Sequence, residues 1–189
     1  MELKAMEFSD QAPYPVIQVE EKNRHYAQAM LNNIGSRHSE MSTIALYVYN
    51  STITKKAAEE ISFCFHKMSV VEMHHLSIFA QLAHLLGAEP RLWSMERKNN
   101  GLNLWKSNKC RMRYWNAGYN FYTMQLPQML KNSIAGERKA IEVYKKQCEW
   151  IKDQNVRDNL QRIILDEEVH VKILCRLYEE FRKSSGNLR

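Results

Sequence analysis

Val70-Val71-Glu72-Met73-His74-His75-Leu76 and Leu165-Asp166-Glu167-Glu168-Val169-His170-Val171 share one pattern, Glu-x-x-His, inside long glycine-free helical stretches. On an α-helix, residues three apart lie about 300° round the axis and one turn along. Glu72 therefore shares a face with His75, and Glu167 with His170. Each pair follows an upstream helical segment that carries its own glutamate, Glu40 in the first half and Glu137 in the second. Together these six side chains form a metal-ligand inventory.

The rest of the composition agrees with a helical protein. The chain has 189 residues, 44% of them hydrophobic, which is enough for one domain with a sizeable core. Six glycines and four prolines are too few for a sheet with many turns. No run approaches 18 apolar residues and no apolar signal segment follows Met1, so a soluble, cytoplasmic protein is expected. Cys64, Cys110, Cys148 and Cys175 are widely spaced and include no Cys-x-x-Cys, which argues for reduced thiols and against a zinc ribbon or cysteine-ligated iron. The formal charge of +6 points only weakly to nucleic acid. If four glutamates become buried ligands, the other 17 of the 21 acidic residues face 27 basic ones, and a solvated basic surface is the expectation.

Working outward, residues 1–18 hold Pro13-Tyr14-Pro15 and read as an extended N-terminal arm. The bundle domain is expected over 19–183, with a tail from 184 to 189. A first helix is predicted from about Glu21 to Tyr49, with Gly35 as its weak point and Asn50-Ser51-Thr52 as its end. A second runs from about Thr54 to Leu86 and stops at Gly87, with Pro90 beyond. Residues 88–118 lack clean periodicity and include the turn signal Asn99-Asn100-Gly101. A third helix is predicted from Asn120 or Pro127 to Trp150, and a fourth from beyond Asp153-Gln154-Asn155 to Arg182. Short turns make two antiparallel hairpins. Helices of about 30 residues are about 45 Å long, a distance that the 31-residue connector can span. The expected fold is all-α, a four-helix bundle with one long crossover between its second and third helices.

The hairpins also repeat in sequence. Glu40, Ile44, Leu46 and Tyr47 align with Glu137, Ile141, Val143 and Tyr144, and Glu72, His75, Ile78 and Leu82 with Glu167, His170, Ile173 and Leu177. Core packing alone does not explain a repeat that keeps glutamates, histidines and tyrosines in register. Four carboxylates and two imidazoles inside a bundle are prohibitively costly as bare charges. Two divalent cations balance them, and mixed oxygen and nitrogen ligation suits two iron or two manganese ions. Glu40, Glu72, His75, Glu137, Glu167 and His170 fill the places of a di-metal bundle, one Glu on each of two helices and a Glu-x-x-His on each of the others.

With these six residues and the helix order, residues 20–182 resemble the ferritin-like superfamily of di-metal carboxylate proteins, in the style of rubrerythrins and manganese catalases. The resemblance implies terminal ligands at Glu40 and Glu137, bridging ligands at Glu72 and Glu167, and one histidine cap per ion at His75 and His170. In manganese catalases the position matching Glu167 can instead serve as an acid/base group. Asp166 matches an aspartate that, in related di-iron proteins, holds a ligand histidine's far nitrogen, here that of His75. Tyr47 and Tyr144 are candidates for hydrogen-bonding ligand carboxylates or relaying electrons, or are amphipathic core tyrosines. His74, His25, His38, His66, His84 and Glu168 have no comparable partners at ligand spacing. The connector interleaves Arg91, Arg97, Lys98, Lys106, Lys109, Arg111 and Arg113 with Trp93, Trp105, Tyr114 and Trp115. It reads as a cover packed on the bundle rather than a single-strand binding surface.

By this resemblance the leading activity is oxidoreduction of hydrogen peroxide or dioxygen, as a catalase or as a peroxidase fed by an external electron-donor protein. Rubrerythrins carry a cysteine-ligated iron domain and a further glutamate where this chain has Ile134, so the donor-free catalase variant gains weight, as does a peroxidase fed by a separate protein. The alternatives are ferroxidase or iron handling, a coat protein retaining the fold, and a substrate hydroxylase. A homo-oligomer, with a dimer favoured, and no membrane partner complete the expectation.

Overall fold

The computed structural model describes residues 6–97 and 110–186. Five α-helices follow in order: α1 (Arg24–Gly35), α2 (Glu40–Thr54), α3 (Glu59–Leu85), α4 (Leu126–Trp150) and α5 (Gln154–Gly186). Helices α2 and α3 form one hairpin and α4 and α5 the other, with α1 continuing the first arm of the bundle along the C-terminal half of α3. This is an all-α four-helix bundle with one long crossover. No described helix is long and apolar enough to cross a membrane.

The local sequence sets the helix ends. Asn23 caps α1, its side-chain oxygen accepting from the backbone N–H groups of His25 and Tyr26 at 3.0 and 3.1 Å. Gly87 ends α3 at φ +97°, a left-handed conformation that few side chains tolerate. Pro127 sits in the first turn of α4, where its missing N–H costs nothing. Asp153 opens α5, accepting from Val156 N at 3.2 Å. Ser51 and Thr52 do not end a helix. Their hydroxyls bond back to the Val48 carbonyl at 3.1 and 2.8 Å, and α2 continues to Thr54.

The first arm is two helices instead of one, interrupted at 36–39. The crossover packs against the end of α1, next to this break. It contains an antiparallel ribbon, β1 (Trp93–Arg97) against β2 (Cys110–Tyr114), that sequence periodicity did not reveal. Its start docks so closely on α1 that a Cβ added to Gly35 would meet Trp93 N at 2.6 Å and the Leu92 carbonyl carbon at 2.9 Å. Both are backbone atoms with little freedom to yield. Gly35→Ala is expected to destabilise the fold by about 1–3 kcal/mol through overpacking, although helix propensity favours Ala. Urea denaturation measures the sign directly.

From there the crossover runs along α2. Trp115 Nε1 donates to Ser42 Oγ at 3.0 Å, Asn120 Nδ2 to the Ser42 carbonyl at 3.0 Å, and Tyr122 packs on Tyr49. Trp93 packs against the core, whereas Tyr114 stays mostly exposed. Lys98, Trp105, Lys106, Lys109 and the Asn99-Asn100-Gly101 turn lie outside the described residues.

The interior has two apolar layers. One joins α1 and the C-terminal half of α3 to the end of α4 and the start of α5, through Met30, Ile78, Leu82, Tyr144, Leu160 and Ile163. The other joins α2 and the N-terminal half of α3 to the opposite ends, through Tyr47, Phe65, Met68, Leu130, Ile173 and Leu174. Fully burying each Leu, Ile, Met or Phe contributes about 1.5–3 kcal/mol. Between the layers, at mid-bundle, the polar residues of the two Glu-x-x-His motifs meet.

Candidate metal centre

Helical period brings Glu72 and His75 from α3, and Glu167 and His170 from α5, onto facing inner surfaces. Glu40 is the first residue of α2 and Glu137 lies mid-way along α4. All six side chains are buried, Glu72, His75, Glu167 and His170 completely. They form two overlapping groups, Glu40–Glu72–His75–Glu167 and Glu72–Glu137–Glu167–His170, each with candidate ligand atoms within 4.8 Å of one another. Glu72 and Glu167 belong to both.

The oxygens of these two shared carboxylates divide between the groups. Glu72 turns Oε2 to His75 Nδ1 at 3.0 Å and Oε1 to His170 Nδ1 at 2.9 Å. Glu167 turns Oε1 to His75 Nδ1 at 3.3 Å and Oε2 to His170 Nδ1 at 3.2 Å. Both imidazoles thus aim Nδ1 inward, with ring centroids 6.2 Å apart. Glu72 Oε1 and Glu167 Oε1 are buried and, although close to an imidazole nitrogen, make no hydrogen bond of good geometry. Buried carboxylate oxygens rarely stay unsatisfied, and these converge on imidazole nitrogens from two sides. The donor set fits two small divalent ions with oxygen and nitrogen ligands.

The tyrosines cross between hairpins. Tyr47 of α2 donates to Glu137 Oε1 of α4, and Tyr144 of α4 donates to Glu40 Oε1 of α2. Each hydroxyl therefore meets the other hairpin's glutamate rather than that of its own helix. The pairing of 47 with 137 and 40 with 144 makes α2 and α4 antiparallel, so each tyrosine stands opposite the other half's carboxylate. Burial, and then the adjacent carboxylate, push both phenols well above the usual range. They remain neutral donors.

The outward nitrogens are also held. His75 Nε2 lies 2.9 Å from Asp166 Oδ2, and His170 Nε2 lies 3.0 Å from the Phe8 carbonyl. Asp166 further accepts from the Asp10 amide at 2.7 Å and the Tyr14 hydroxyl at 2.5 Å, and pairs with Arg162 Nη1 at 2.6 Å. Burial works against its charge, but His75, Tyr14 and Arg162 outweigh it and hold the carboxyl at about 2. Phe8, Asp10, Tyr14 and Arg162 carried no signal in the sequence. The arm has no periodicity, two of its contacts are backbone groups, and Arg162 reads as an ordinary helix-surface arginine. His74 packs on Tyr14 with ring centroids 4.4 Å apart, and Glu168 pairs at the surface with Lys145 at 3.1 Å. Neither joins the centre.

The buried carboxylates and imidazoles shift one another's proton affinity. Burial and the neighbouring carboxylates push Glu40 and Glu137 well above the usual carboxyl range. Burial raises Glu72 too, but His170 and His75 reverse this and hold it ionised. Burial disfavours charged His75 and His170, yet the facing carboxylates raise both well above the ordinary imidazole value. Both kinds of raised group must lose a proton before ligating a cation, so metal affinity is expected to rise with pH through their folded-state values. Calorimetric titration in buffers of different ionisation enthalpy should show net proton release on binding.

No protein-family model matches the sequence. The chain is 23% identical over 178 residues to a probable manganese catalase of Clostridium acetobutylicum, covering 90% of this chain and 78% of that protein. Among solved structures, KatB, a manganese catalase from Anabaena PCC7120, superposes with a TM-score of 0.72 at 19% identity, over 93% of this chain and 81% of that one. The bacterioferritin of Rhodobacter capsulatus, described with a metal-free dinuclear site and haem iron, superposes with a TM-score of 0.61 at 19% identity, over 86% and 89%. By its helix order and its structural neighbours the chain has the ferritin-like bundle fold, with a buried carboxylate–histidine cluster at its centre that could hold two metal ions.

Proposed function

We propose that the protein is a di-metal oxidoreductase that disproportionates hydrogen peroxide. The observation that carries this is the pair of overlapping ligand groups sharing Glu72 and Glu167. In this reading Glu40 and His75 would hold one ion and Glu137 and His170 the other, with Glu72 and Glu167 available to both. Two iron or manganese ions supply a two-electron exchange with peroxide when bound. The chain's residues supply geometry and proton control. Tyr47 and Tyr144 keep their protons and fix the rotamers of Glu137 and Glu40. Glu167 faces both groups with one oxygen each, which suits a bridging ligand better than a detached acid/base group. Disproportionation needs no external electron donor, in keeping with a sequence that has no Cys-x-x-Cys. The likeness to manganese catalases supports the same choice, and manganese over iron.

A cavity of about 430 Å³ opens between α2 and α4 beside the centre, and in this reading peroxide enters through it. Its walls include Ser39, Thr43 and Gly136, and it reaches Tyr144, the donor to Glu40. A Cβ at Gly136 would meet nothing within 4 Å. Gly136→Trp is therefore expected to fill the cavity, keep both metals and lower kcat/KM for peroxide by about an order of magnitude. Gly136→Ala should leave turnover unchanged. Comparison of the two by initial rates checks the path.

Ferroxidase action is the second reading, favoured by the bacterioferritin likeness. Arg37 and Lys139 line the cavity, and their positive charges oppose ferrous ions while leaving uncharged peroxide unaffected. Oxygen evolution from peroxide by manganese-loaded protein, measured with an oxygen electrode, tests the choice. Sustained evolution supports disproportionation. Its absence from fully loaded protein, with ferrous oxidation intact, moves the assignment to ferroxidase.

A further inference from the structure

The N-terminal arm zips antiparallel along α5. Glu20 N donates to Asp153 Oδ2 at 2.7 Å, Gln18 to Asn155 at 2.9 Å, and Asn159 to the Val16 carbonyl at 3.3 Å. Arg162 then grips the arm's backbone. Its Nε donates to the Ala12 carbonyl at 2.6 Å and its Nη2 to the Asp10 carbonyl at 2.8 Å. Its guanidinium also lies 4.0 Å from the Tyr14 ring centroid. The path ends at buried Phe8, packed on Phe63, with the Phe8 carbonyl on His170. This arm does more than cover apolar surface, because its polar contacts close on the back of both candidate ligand histidines.

We propose that the N-terminal arm is a positioning clamp for the metal centre, fixing the tautomer and orientation of both histidines through two separate contacts. The proposal rests on the di-metal assignment. A backbone carbonyl only accepts hydrogen bonds, so the Phe8 contact requires a proton on His170 Nε2 and leaves the Nδ1 lone pair for a metal. Asp166 acts likewise on His75. As an ionised carboxylate it accepts at Oδ2 from both His75 and Tyr14, while the Asp10 amide and Arg162 fix Oδ1. One half of the clamp is thus Tyr14 and the Asp10 amide, acting through Asp166 on His75. The other half is Phe8, acting directly on His170. A sheath with only a packing role would not be expected to place an acceptor on each Nε2. Coupling must be reciprocal: a docked arm slows metal release, and bound metal keeps the arm docked.

The test follows metal release from fully loaded protein to excess chelator, in the wild-type chain, Tyr14→Phe, a chain lacking residues 1–8, and the two changes combined. Altering an outer partner of a metal ligand costs about 10–100-fold in affinity. Tyr14→Phe is expected to speed release of one ion per chain, the deletion to speed release of the other, and the combination to speed both. Hydrogen exchange at the Asp10 amide should slow on metal loading. Melting of the metal-free Tyr14→Phe protein should match wild type, which separates positioning from general loosening. Wild-type release kinetics in Tyr14→Phe, or equal acceleration of both ions by that single change, would overturn the clamp, and this variant decides even if the deletion does not fold. A wild-type chain that binds no metal overturns the di-metal assignment instead.

Discussion

Glu72→Ala is expected to abolish tight binding of both metal ions, whereas His75→Ala should abolish one. The difference follows from geometry. Glu72 presents one oxygen to each half of the centre, 3.0 Å from His75 Nδ1 and 2.9 Å from His170 Nδ1, so its loss opens both groups. His75 belongs only to the group with Glu40. Removing Glu72 also strips the buried imidazoles of their ionised partner. Breaking a buried pair on one side costs about 3–5 kcal/mol, so the metal-free variant should unfold at lower denaturant. Glu168→Ala, which deletes an exposed carboxylate paired with Lys145, should leave stoichiometry and stability at wild-type values. Elemental analysis of the purified variants reads the stoichiometries. Two ions retained by Glu72→Ala would count against a shared ligand.

Metal loading should raise the melting temperature more than any substitution at the surface can. An ion present at 1,000 times its Kd stabilises the folded state by about 4.1 kcal/mol, so two contribute about 8 kcal/mol. In a chain of this size each kcal/mol shifts the midpoint by about 2–4 °C, which gives an increase of about 15–30 °C. Loaded and chelator-treated protein compared by scanning calorimetry provide the measurement. In Glu72→Ala the increment should vanish, since both groups lose a ligand when Glu72 is removed.

The bundle and the meeting of the six side chains were legible in the sequence because both depend on helical period. Glu72 with His75, and Glu167 with His170, share a face on any regular α-helix, and the repeat identifies Glu40 and Glu137 as their counterparts. What escaped the sequence depends on irregular backbone or on contacts between elements. The interruption at 36–39 lies next to Gly35, on which Leu92 and Trp93 press from more than 50 positions away. The ribbon Trp93–Arg97 with Cys110–Tyr114 has too little alternation to stand out from an aromatic, basic connector. Tyr47 and Tyr144 were visible as a repeated pair, but their exchange of partners appears only when α2 and α4 are set antiparallel. The Phe8 contact is a backbone carbonyl, and side-chain identity does not encode it. Tyr14 lies in Pro13-Tyr14-Pro15, where extended backbone has no helical face from which to infer a partner.

The same contrast accounts for the asymmetry of the centre. The inner shell repeats, with Glu, Glu-x-x-His and a tyrosine from each hairpin. The outer shell does not, because Val71 occupies the place before the first motif that Asp166 holds before the second. His170 therefore lacks a carboxylate partner at Nε2, and the arm's backbone provides the acceptor.

Anomalous diffraction at the manganese and iron edges from crystals of metal-replete protein tests the central claim most directly. The expected map has two peaks per chain between Glu72 and Glu167, one beside Glu40 and His75 and the other beside Glu137 and His170. No peak there in protein shown by elemental analysis to carry metal, or a single peak bound outside these six side chains, would contradict the di-metal centre.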